Sequence, residues 1–122
     1  MGLILDKIPD FEPVWQAHLD FWGDDEAGLS NDLAEFASYL VNTLSSLSSD
    51  KRKELFLLVE VCLNEGDEEV KDAIATCLLE NLLNAVSEER VDALLFVGFL
   101  EDESRKFCKS WDEFTGIETP GL

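Results

Sequence analysis

Apolar residues recur every three or four positions along almost the whole of this chain, and that spacing constrains its fold more than any other feature. Leu33, Phe36, Ala37, Leu40, Val41 and Leu44 set the pattern, which puts all six side chains on one face of an α-helix. An earlier stripe runs through Phe11, Val14, Trp15, His18, Leu19 and Trp22, with Asp10 placed to cap its helix and Pro13 in the first turn. A third helix is predicted from Lys51 to Glu65 and reads as apolar nearly all round. Gly66 stops it, and Asp67 caps a fourth helix from Glu68 to Val86. Helices apolar on most sides belong at the centre of a bundle, so these two are expected to pack on each other. Ser87-Glu88-Glu89 reads as the cap of a fifth helix reaching Val97. A sixth runs from about Glu101 to Phe114, burying Phe107, Cys108, Trp111 and Phe114.

No segment alternates as a half-buried strand does. The prediction is therefore an all-α fold: one domain over residues 1–122, a compact bundle or short stack of about six antiparallel helices, with 116–122 as a C-terminal tail. At 46% apolar residues a chain of 122 can bury a core of its own. No apolar run is long enough to span a bilayer, the first residues lack the basic start of a signal peptide, and Asp6 stands where a myristoylation pattern needs Ser or Thr. A cytoplasmic location is expected.

Charge narrows the function. Twenty-seven acids against nine bases give a formal −18, a field that repels nucleic-acid phosphates and anionic lipids and attracts basic partners. Between Lys7 and Lys51 there is no Lys or Arg, while Asp10, Glu12, Asp20, Asp24, Asp25, Glu26, Asp32, Glu35 and Asp50 all fall in that stretch. The bases gather at Lys51-Arg52-Lys53 and at Arg105, Lys106 and Lys109.

The residues offer little to a catalyst. Cys62, Cys77 and Cys108 are widely spaced and His18 is the one histidine, so one chain cannot assemble a zinc site of the usual Cys/His kind. The thiols read as buried small hydrophobes. His18 shares a face with Trp15 and Trp22 and reads as a buried, hydrogen-bonded side chain, with no nucleophile nearby to activate. The glycines are scattered and form no phosphate-binding loop. Asp24-Asp25-Glu26 with Asn31 and Asp32 lacks the spacing of a calcium loop. Neither an enzyme, a metal nor a cofactor is expected. Thr76, Glu80 and Asn84 recur at four-residue spacing on the fourth helix beside Asn81, and Glu60 stands alone in the third. These read either as solvent-facing or register-fixing polar groups, or as a polar groove for a partner.

Two segments carry a resemblance: Ala75-Thr76-Cys77-Leu78-Leu79-Glu80-Asn81-Leu82-Leu83-Asn84 and Ser104-Arg105-Lys106-Phe107-Cys108-Lys109-Ser110-Trp111-Asp112-Glu113-Phe114-Thr115-Gly116. With the Asp-rich stretch at 24–32, they resemble a family of small bacterial proteins found among the immunity genes of toxin–immunity loci, contact-dependent inhibition included. The resemblance implies a non-catalytic protein and carries over no binding residues. The charge argues the same way, since a nuclease toxin must be basic to hold phosphates and an acidic inhibitor meets it with complementary charge. The contacts expected on this reading are Asp24, Asp25, Glu26, Asp32 and Glu35, with Trp22 and Tyr39 as anchors if exposed, and Glu80 and Asn84 if the polar stripe is a groove. The alternatives are a helical adaptor or homo-oligomeric module, and a mimic of nucleic acid.

Overall fold

The computed structural model describes residues 2–25 and 27–122, and these form a helical bundle with no strand. A short α1 (Gly2–Lys7) leads through a 3₁₀ turn at Pro9–Phe11 into α2 (Glu12–Trp22), followed by α3 (Leu29–Thr43) and α4 (Ser49–Glu65). A continuous helix then runs from Glu68 to Ser87 in three parts: α5 (Glu68–Ala73), a π-helical segment (Ile74–Leu79) and α6 (Glu80–Ser87). Two 3₁₀ turns, Ala93–Leu95 and Val97–Phe99, precede α7 (Asp102–Thr115). No helix among the described residues is long and apolar enough to cross a membrane.

Local chemistry sets most of the boundaries. Ser48 Oγ accepts from Lys51 N at the start of α4, and Asp67 Oδ1 accepts from Val70 N at the start of α5. Gly66 between them leaves no room for a side chain, because a Cβ there would lie 2.5 Å from the Cys62 carbonyl and 2.7 Å from Val70. Gly116 ends α7 in the left-handed conformation. Asp10 does not cap α2; it lies within the 3₁₀ turn, and no side chain caps that helix.

The core is one cluster around Phe11, Phe36, Leu40, Phe56, Leu78, Leu82 and Phe96. The long α5–α6 helix packs most extensively on α3 and less on α4, so the expected central pair is displaced by one element. The reason is visible along α4, where Leu57 and Val61 remain 41% and 48% exposed. That helix presents one face to water despite its apolar composition.

Residues 87–97 do not form a fifth α-helix. Ser87 is the last residue of α6, Glu89 takes a left-handed φ of 60°, and Arg90 N donates back to Ala85 O. Ala93, Phe96, Val97 and Leu100 are all buried. Their spacing of three and four is shared by α and 3₁₀ turns, so periodicity alone does not separate the two. Phe114 is 90% exposed, contrary to its predicted burial, because α7 runs out beyond its last core contact at Trp111. The segment after α7 is anchored. Asp112 accepts from Thr119 N and Oγ1 at 2.8 and 2.7 Å, and Arg105 donates to Val97 O and Gly121 O.

Candidate partner-binding surface

Helical geometry makes α2 amphipathic and decides what it leaves outside. Successive residues turn by about 100°, which puts Phe11, Trp15, His18 and Trp22 on one line, with Leu19 and Phe21 roughly 80° to either side. Phe11 and His18 are buried, Trp15 and Trp22 half-buried, Leu19 41% exposed and Phe21 84% exposed. The rings form a row from core to surface. Phe11 meets Trp15 at 6.4 Å, Trp15 stacks on His18 at 5.5 Å, His18 meets Trp22 at 6.4 Å and Phe21 stands edge-on to Trp22 at 5.9 Å.

His18 locks this row to α3. Its Nε2 lies 2.9 Å from Asp32 Oδ1, and a carboxylate accepts, so Nε2–H donates; Nδ1 lies 4.0 Å from Glu35 Oε2. His18 is thus the buried, hydrogen-bonded side chain that its neighbours predicted. Asp32 and Glu35, expected as contacts for a partner, both face this imidazole, with 21% and 43% of their side chains left exposed. Asp32 is committed to a hydrogen bond inside the protein, because α2 and α3 pack with their facing polar groups in register.

Beyond the histidine the surface opens into a cleft of about 360 Å³, lined by Trp15, His18, Leu19, Trp22, Asp24, Asp25 and Asp32. The fold therefore brings Trp22, Asp24, Asp25 and Asp32 together as one acidic cleft with aromatic walls. Gly23, with a φ of 59°, ends α2 and turns the chain so that Asp24 and Asp25 line it. Glu26 lies outside the described residues.

The remaining predicted contacts fall elsewhere. Tyr39 packs against Phe11 and Phe36, with ring centroids 5.1 and 6.4 Å away, and serves the core rather than the cleft. Glu80 and Asn84 on α6 do not line it either. Around them Thr76 Oγ1 donates to Asp72 O and Asn81 Nδ2 to Cys77 O, bonds back along their own helix, while Thr76 and Asn84 face solvent.

Glu60 has a different use. Its carboxylate accepts from Glu103 N, Ser104 N and Ser104 Oγ at 2.9, 2.9 and 2.8 Å, and so caps α7 from another helix. Burial pushes its carboxyl up, but the hydrogen bonds from Ser104, Glu103 and Asn64 outweigh it and hold the group below its ordinary value. Phe21 was missed in the sequence because it lies at the edge of the α2 stripe, where burial depends on a neighbouring helix. The cap by Glu60 had only its isolation among apolar residues as a signal.

The thiols are built as hydrophobes. Burial, reinforced by nearby Asp112 and opposed by Arg105, pushes Cys108 up to about 12, and burial also raises Cys62. Among the described residues no cluster of His, Cys, Asp and Glu is arranged to hold a metal ion.

Against known proteins, residues 1–116 match the model of a domain of unknown function (DUF7674). No curated protein and no solved structure matches the chain.

Proposed function

The chain belongs to the DUF7674 family, and from its surface we propose that it is an immunity-like inhibitor that binds and neutralises a basic toxin domain in the bacterial cytoplasm. The observation that carries this reading is the cleft beside α2, where Asp24 and Asp25 line the wall with Trp22, and Phe21, 84% exposed, stands edge-on to Trp22 on the other flank of the helix stripe. Tight protein interfaces combine a desolvated aromatic anchor with complementary charge, the first slowing dissociation and the second speeding encounter. Phe21 and Trp22 supply the anchor, and Asp24 and Asp25 supply the charge, in a stretch with no base between Lys7 and Lys51. A basic loop or helix with an apolar side chain at its centre fits that surface.

A tagged pull-down from the native host, washed at low and high salt, tests the proposal. One basic, equimolar partner encoded next to this gene is the expected result. With that partner in hand, Asp24→Asn/Asp25→Asn slows association and Phe21→Ser speeds dissociation. Unchanged kinetics in both variants would move the interface off this cleft. A second reading, a helical adaptor or homo-oligomeric module, draws on Phe114 and Leu94, which are 90% and 70% exposed. It predicts a concentration-dependent mass in solution, little salt dependence and no toxin partner.

A further inference from the structure

A second cavity, of about 470 Å³, lies between α1, α3, α4, α5 and the start of the π-helical segment, and shares no lining residue with the acidic cleft. Leu33, Leu55, Val59 and Ile74 form its buried floor, at 1–3% exposure. At its mouth Leu3 is 64% exposed and Asp6 is exposed beside it. Sites of about 300–1,000 Å³ with apolar walls and few polar groups are the ordinary form of a small-molecule pocket. Water gains little here, because apart from Asp6 and the neutral Cys62 thiol the lining side chains offer it no partner. The chain's own last residues do not fill the space, since Thr119 is tied to Asp112 and Gly121 lies against Val97. A second copy is disfavoured because two chains of formal charge −18 repel.

We propose that this cavity binds a small cationic amphiphile, an alkyl or aryl body carrying one protonated amine, with the apolar part on the Leu33–Val59–Ile74 floor and the ammonium at Asp6. Asp6 is the charged side chain of the lining, and the surrounding field of the whole protein favours a cation and opposes a fatty-acid carboxylate. The six-residue helix α1 forms one wall of the mouth. It is held by the burial of Ile4 and Ile8 and by a 3.3 Å bond from Lys51 Nζ to the Lys7 carbonyl, so little needs to move to admit a ligand.

The test is calorimetric titration of the full chain with octylammonium, octanol and octanoate, each below its aggregation concentration. Octylammonium is expected to saturate one site and to bind at least tenfold tighter than octanoate, with each added methylene tightening it about fourfold. Asp6→Asn should remove the preference for the ammonium while octanol still binds. Leu58→Trp, which fills the cavity from a half-buried position, should abolish all three; Val70→Phe serves the same purpose if that variant does not fold. Failure of every probe to saturate, equal binding of octanoate, or ammonium binding that survives a folded filling variant would overturn the proposal. The last outcome would mean adsorption to the acidic surface only.

Discussion

The α2–α3 edge and the α7 end of this protein are both rich in carboxylates and use them in opposite ways. At the α7 end each acid that matters meets a donor supplied by the fold: Glu60 holds the first turn of α7, and Asp112 holds Thr119. At the α2–α3 edge Asp20, Asp24 and Asp25 are exposed, and among the described residues none is paired with a Lys or Arg. The difference teaches that a carboxylate's role follows from the donors within its reach. Where the backbone presents free N–H groups the acid is structural. Where no donor is built, its charge is left to act on whatever approaches.

The contrast breaks most easily at Glu60. Glu60→Ala leaves two α7 backbone donors uncapped and should lower the unfolding free energy by about 2–3 kcal/mol in urea denaturation. A loss no larger than that of a surface substitution would mean that α7 does not depend on this cap. Asp112→Ala should cost about 1–2 kcal/mol and release residues 117–122, seen as lost amide protection at Thr119 in hydrogen exchange.

The pH dependence of stability sharpens the same comparison. The Glu60 carboxyl is depressed below its ordinary 4.5, so its contribution is fully present above that value and is lost as pH falls through the folded-state value. Wild type should therefore lose more stability than Glu60→Gln on titration from pH 5 toward pH 3. Parallel curves would remove Glu60 from the acid response. Cys108 has the opposite sign: raised to about 12, it favours the folded state below the ordinary thiol value of 9.0 and loses that contribution as pH rises through the folded one.

The smallest effects are expected at the other edge. Asp24→Asn/Asp25→Asn and Phe21→Ser should each change stability by no more than about 0.5 kcal/mol, since among the described residues the two carboxylates pair with no base and Phe21, 84% exposed, meets Trp22 only edge-on. A melting-temperature rise on adding salt to wild type, reduced in the Asp24/Asp25 variant, would show self-repulsion relieved by screening. A large destabilisation by Phe21→Ser would instead make that ring part of the core and remove it as an anchor.

Much of the architecture was legible in the residues. The stripe from Leu33 to Leu44 became α3 with Leu33, Phe36, Ala37 and Leu40 buried, and Gly66-Asp67 ended one helix and capped the next as their chemistry requires. Around Ala93–Leu100 the same rule misled, because a spacing of three and four fits tandem 3₁₀ turns as well as an α-helix. Within the candidate surface, the clustering of Asp24 and Asp25 with Trp22 followed from their closeness in sequence. Asp32 and Tyr39 make internal contacts that spacing did not show, Asp32 with His18 and Tyr39 with Phe11 and Phe36, since what a polar or amphipathic side chain meets depends on the helix packed beside it.

Taken alone, the sequence determined the helical class, the positions of most turns, the isolation of His18 among aromatic rings and a long acidic stretch with no base in it. These follow from hydrogen bonds and periodicities that reach only a few residues along the chain. Only the tertiary structure decided that Glu60 caps a helix 43 and 44 residues away, that Asp32 holds His18 across a helix pair, and that Phe21 stays in water while Phe11 is buried. Each of those depends on which surfaces meet when helices pack, and spacing along a single helix carries no record of its neighbours.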